Sequence, residues 1–236
     1  MKNNKLKIAL FFFALIINFL VYMVFFYETK PIENVDCAFV FKNYSERDIQ
    51  FFKETFQNYS SVKNVPEQYK EAIVVALAYY PELKDVSIIF IEEKISTTMN
   101  CRPNVWQLLL GKRKYEIRIN NYENFDGLLL EQTPFNAQVG VIGHELAHIL
   151  DYEGGSILRI IKRGADYLSK KTTSDFEYEI DEIAIKKGFG YQSIAFWNFL
   201  MNGSAHITDE YKAFKKEIYM DKANIQSIME ETSCYN

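Results

Sequence analysis

The chain has 236 residues, 48% of them hydrophobic and 25% charged, with a formal net charge of −4. That composition is close to the globular average and excludes a disordered or fibrous chain. A mildly acidic chain also has no broad electrostatic claim on nucleic acid, so none is expected as a partner. The charge is uneven: residues 1–30 hold Lys2, Lys5, Lys7 and Lys30 against Glu28, and the acidic excess lies in the rest.

Residues 8–27 read I-A-L-F-F-F-A-L-I-I-N-F-L-V-Y-M-V-F-F-Y and carry no charge. A helix of that length matches the hydrocarbon core of a bilayer. Lysines precede it and Glu28, Glu33 and Asp36 follow, so the positive-inside rule puts residues 1–7 in the cytoplasm and the rest outside. No small-x-small cleavage site follows, which favours an uncleaved anchor. The expectation is a tail and transmembrane anchor over 1–30, held in the lipid bilayer through 8–27, and one extracytoplasmic domain over 31–236, a single-pass cell-membrane protein. Cys37, Cys101 and Cys234 allow one disulfide in any of three pairings and contain no CxxC.

Beyond a linker, apolar spacing predicts helices over 44–60 and 67–80, with Pro66 and Pro81 at the ends of the second. Val86 to Ile91 reads as a buried strand, and Tyr115 to Asn120, alternating apolar and polar, as a strand with one exposed face. Arg102-Pro103 and residues 111–114 read as surface turn and loop. A long helix capped by Thr133 or Asn136 ends at Gly154-Gly155. Further helices are expected over 156–169, 175–187, 191–201 and 210–231. In 157–163, I-L-R-I-I-K-R, the Ile/Leu stripe is expected to pack on the core, the alternative being contact with an anionic membrane. The class is α+β, mostly helical with a small mixed sheet.

His144-Glu145-Leu146-Ala147-His148 is H-E-x-x-H inside the long helix. Residues four apart share a face, so two imidazoles can hold one Zn²⁺. Glu145 stands beside them, ready to take a proton from a water and return it to a leaving amine. Gly140 and Gly143 permit close packing before the first histidine. A hydrolytic zinc site needs a third protein ligand. Asp151 and Gly154 stand where H-x-x-G-x-x-H would put a glycine and a histidine, so the ligand is expected to be a carboxylate. Glu177 and Asp181 share a helical face, one able to bind the metal and the other to hold a histidine N–H.

The segment Q-V-G-V-I-G-H-E-L-A-H-I over 138–149, followed by E-x-E-x-D-x-x-A over 177–184, resembles the gluzincin membrane metallopeptidases of the CAAX-prenyl-protease and heat-shock-membrane-protease type. A fainter resemblance, in H-E-L-A-H-I-L-D, is to the Mlc-titration-factor peptidases. The first resemblance implies a zincin-like metallopeptidase domain with one Zn²⁺ on His144, His148 and Glu177. It makes Glu145 the base and Asp181 the orienting partner of a histidine, with Glu179 a weaker alternative ligand. The family's small-His-Pro stretch is matched by Ser204-Ala205-His206 without the proline, which marks His206 as an oxyanion donor, and Lys212 stands near the place of the family's arginine. By the same analogy Tyr115 to Asn120 is the edge on which a peptide or protein substrate pairs. The expected activity is zinc-dependent endopeptidase cleavage of extracytoplasmic peptides. The rival is a membrane-tethered zinc-binding sensor without proteolysis.

Overall fold

The computed structural model describes residues 11, 13–15, 17–18, 37, 39–55, 61–203 and 207–235. Most of the expected anchor and its flanks, and His206, lie outside them. The described residues within 8–27 are helical and exposed. Among the described residues, no helix is long and apolar enough to cross a membrane.

The described elements are helices α1 (Glu46–Thr55), α2 (Lys70–Ala78), α3 (Val105–Leu109), α4 (Phe135–Glu153), α5 (Ile157–Asp166), α6 (Lys170–Ala184), α7 (Gly190–Asn202), α8 (Asp209–Ile218) and α9 (Lys222–Glu231). The strands are β1 (Val62–Lys63), β2 (Ser87–Glu93), β3 (Met99–Pro103) and β4 (Lys114–Asn120). They form one mixed sheet in the order β1-β2-β4-β3, with β3 antiparallel to β4 and the other pairings parallel. The class is α+β, as expected.

Helix α4 runs through the centre. Val139, Ile142, Leu146 and Ile149 are fully buried, joining β2 and β4 side chains such as Ile88, Phe90, Ile117 and Ile119 in one core. Its expected caps differ: Pro134 holds the N-cap position, Thr133 donates to the Leu130 carbonyl, and Asn136 reaches back to Lys42 and Asn43. The glycines act as expected. A Cβ on Gly140 would stand 2.6 Å from the Gln192 carbonyl oxygen, and one on Gly143 would stand 2.8 Å from the Phe189 ring. Helix α7 therefore packs directly on the α4 backbone.

Three expectations are corrected. Tyr115 to Asn120 is β4, an interior strand paired on both sides, because the unforeseen strand β3 takes the edge; Arg102-Pro103 closes that strand instead of forming a turn. The helix expected over 210–231 is two, broken at Tyr219–Asp221, where the Asp221 side chain caps α9 by accepting from the Asn224 N–H. The Ile/Leu stripe of helix α5 is split, with Ile160 packed in the core as expected. Arg159 and Arg163 point inward, while Ile157 and Ile161 are exposed.

The inward arginines have a reason. Asp151, one turn after His148, is fully buried, and both guanidiniums bind it, Arg163 in bidentate fashion at 3.0 Å to each oxygen. Burial pushes the Asp151 carboxyl up, but Arg163 and Arg159 outweigh it and hold it below the usual range. Cys37 and Cys234 form a disulfide joining segments 197 residues apart, and Cys101 is free and buried in β3.

Asp151→Asn should destabilise the fold by about 3–5 kcal/mol, since two buried cations lose their countercharge. A depressed folded pKa contributes stability that is present above the unfolded value and lost as pH falls through the folded one. The wild-type urea midpoint should therefore fall below about pH 4, and the variant's should be flatter there. Equal midpoints at neutral pH would contradict the ion cluster.

Candidate metal centre

Helix α4 presents His144, Glu145 and His148, and α6 crosses it with Glu177 and Asp181. Phe176, Ile180 and Ala184 bury the same side of α6, so Glu177 is carried into the interior at 2% exposure. Glu177 Oε2 lies 3.1 Å from His144 Nε2 and 3.4 Å from His148 Nε2. Among the described residues, these three are the group placed to hold a metal ion. Two helices thus bring together the residues that the sequence reading selected.

The hydrogen bonds around the cluster fix which atoms face inward. Asp181 Oδ1 lies 2.8 Å from His144 Nδ1, and its Oδ2 accepts from the Met220 backbone N–H at 3.0 Å. The break between α8 and α9 frees that N–H, so the misread helix boundary is part of the site. A carboxylate at Nδ1 keeps the proton there and leaves the Nε2 lone pair facing Glu177. The Tyr167 hydroxyl donates to Glu177 Oε1 at 2.8 Å, which leaves Oε2 for the histidines.

Two imidazole lone pairs and a carboxylate oxygen therefore converge in a buried place, an arrangement that repels itself unless positive charge enters. The same electrostatics govern the protonation equilibria. Burial opposes charge on His144, but Asp181 and Glu177 outweigh it and hold the imidazole well above its ordinary value. Burial pushes Glu177 up, and His148 and His144 overcome it and hold it low. Donor atoms about 2.0–2.2 Å from a tetrahedral ion lie about 3.3–3.6 Å apart, close to the observed spacing, so the residues fit a divalent cation. His148 Nδ1 has no hydrogen-bond partner, so the second imidazole lacks the brace that the first has.

Glu145 is 5% exposed, and its Oε2 has no hydrogen-bond partner among the described residues. Burial raises its pKa, and the two histidines partly offset that. Glu145, Met99 and Tyr219 line two cavities. One is bounded by Val141, Phe196, Trp197, Leu200 and Met220. The other, about 540 Å³, runs along the whole of β3 past His148 and Glu177 to Tyr167. That volume is in the range of ligand clefts.

Two expected residues do not enter this picture. Glu179 binds Arg163 and is half exposed on the far side of α6. Lys212 lines neither cavity. In its place stands Lys215, 6% exposed, with its ammonium 4.0 Å from the Tyr219 ring centroid and no ion-pair or hydrogen-bond partner among the described residues. The signal for it was in the sequence: Tyr211, Lys215 and Ile218 are the buried stripe of α8, so a lysine occupies a core position. Tyr167 and Tyr219 had no comparable signal.

Comparison with protein-family models, with curated proteins and with solved structures finds no match.

Glu177→Ala should lose most divalent metal in an equilibrium titration, and Glu179→Ala should bind as wild type. Asp181→Asn should weaken binding about 10–100-fold by releasing the His144 ring. If the first two results were exchanged, the third ligand would move to Glu179.

Proposed function

We propose that this chain is a zinc-dependent metalloendopeptidase, anchored in the cell membrane by residues 8–27 and acting on extracytoplasmic peptides or proteins. The observation that carries the reading is the buried Glu145, whose Oε2 has no hydrogen-bond partner among the described residues, beside three converging acceptor atoms at the meeting point of two cavities. A purely structural metal site gains nothing from an unbonded buried carboxylate and closes its fourth position.

His144, His148 and Glu177 would hold the zinc, which when bound polarises a carbonyl and acidifies a water. Asp181 orients the His144 ring, and Tyr167 keeps Glu177 turned toward the histidines. Glu145 takes the proton of the attacking water and delivers it to the departing amine nitrogen. The charge of Lys215 favours the ionised form of Glu145 that this role needs. The free edge of β3 borders the larger cavity, so an extended peptide can add as a further strand and bring its carbonyls past Glu145. The zincin-like architecture belongs to the same proposal, in which helix α4 would carry the active groups and the antiparallel edge strand β3 borders the site. The Cys37–Cys234 disulfide favours an oxidising compartment, consistent with an extracytoplasmic domain.

Glu145→Gln is the deciding variant, because it removes the base and no ligand. Zinc binding should persist while cleavage of a denatured protein substrate falls about 10²–10⁴-fold. Undiminished cleavage would sink the mechanism. Metal binding without cleavage by the wild-type chain would leave the tethered sensor as the better reading.

A further inference from the structure

A soluble helix normally turns its cations outward; α5 instead buries two of them beside Ile160 and leaves other aliphatic side chains exposed. Arg159 and Arg163 are buried on Asp151, and Ile157 and Ile161 are exposed, with Leu168 just beyond the helix 82% exposed. A second exposed apolar group lies on and after α3: Val105, Trp106 at 78% exposure, and Leu110. The two groups are neighbours. The Arg113 guanidinium, in the loop after α3, donates to the Tyr152, Glu153 and Gly155 carbonyls at the junction of α4 and α5. Val105 from one side and Ile160, Gly164 and Tyr167 from the other line the same large cavity. An apolar rim therefore surrounds the mouth of the cleft.

The charges around this rim are of one sign. Residues 102–114 contain Arg102, Lys112, Arg113 and Lys114 and no acid, and residues 154–165 add Lys162 once Arg159 and Arg163 are set aside as buried on Asp151, in a chain whose net charge is −4. Arg102, Lys112, Lys114 and Lys162 have no ion-pair partner among the described residues, whereas nearby Glu153, Asp166 and Glu179 are each engaged by an arginine. A symmetric dimer through this face would set these cations against their own copies. Exposed tryptophan and aliphatic side chains ringed by lysine and arginine match the boundary of a negatively charged bilayer.

We infer that the α3–α5 rim is a membrane-contacting face that seats the mouth of the cleft on an anionic lipid surface. The contact is separate from the anchor over 8–27: it sets the orientation of the folded domain, not merely its tether. Peptide segments lying in or just above the interface then reach the cleft without leaving the membrane surface. The inference rests on exposed groups and charge and does not require that the chain cleave peptides.

The chain has two tryptophans, so in full-length Trp197→Phe the emission reports Trp106 alone. That protein is placed in vesicles of brominated phosphatidylcholine with or without brominated phosphatidylglycerol. The lipid bromines should quench Trp106, and more strongly when phosphatidylglycerol is present. Charge reversal at Lys112, Lys114 and Lys162 should weaken the contact about five-fold per site and reduce the quenching. A nitroxide on Ile161→Cys, in a chain that keeps Trp197, should become more accessible to oxygen than to a water-soluble nickel complex. Trp106 emission indifferent to brominated lipid yet open to aqueous acrylamide would overturn the inference. So would shielding of Trp106 that grows with protein concentration in unbrominated lipid, which would assign the face to a second copy.

Discussion

The site depends on one electrostatic constraint: three lone-pair donors, two of them buried, point at one another and cannot rest there without positive charge between them. The fold pays a substantial cost to maintain that convergence. Glu177 lies deep in the packing of α6, His144 is locked by Asp181, and Asp181 in turn needs the Met220 N–H that only a broken helix can supply. Each element reinforces the tautomer that turns a lone pair inward. A proton on His144 or a metal cation supplies that positive charge, and a cation can engage all three donors at once.

The parts readable from sequence were those with a short-range period. H-E-x-x-H on a helix fixes two imidazoles and a carboxylate by spacing alone, and Glu177 with Asp181 share a face for the same reason. Gly140 and Gly143 announced the close approach of another helix, though not that it would be α7. The α+β class followed from the order of apolar patterns.

The parts that were not readable depend on pairing at a distance. Met99–Pro103 has a short, polar and proline-ended sequence that gives no strand period, and it becomes a strand only because β4 offers its edge. That one addition moved the free edge of the sheet from β4 to β3. The mixed packing of α5, with Ile160 in the core but Ile157 and Ile161 outside it, is not legible in sequence because an Ile/Leu stripe and a cationic stripe are equally regular. What chose between them was a fully buried aspartate on another helix, where losing two salt bridges would cost more than leaving Ile157 and Ile161 in contact with solvent or lipid. Lys215 lies between these cases: a charge at a core position of α8 is legible in sequence, but the cavity that it lines is not.

The cross-link between Cys37 and Cys234 has a consequence for biogenesis. Its partners are 197 residues apart, and at ordinary translation speeds of about 5–20 residues per second the second thiol follows the first by roughly 10–40 s. From the moment residue 101 is made until residue 234 follows, Cys101 is the nearer thiol available to Cys37. Correct pairing therefore requires either that β3 be shelved in the sheet before the carboxyl end arrives, or that an exchange catalyst undo an early bridge. Burial of Cys101 in the finished fold keeps its thiol out of any such exchange.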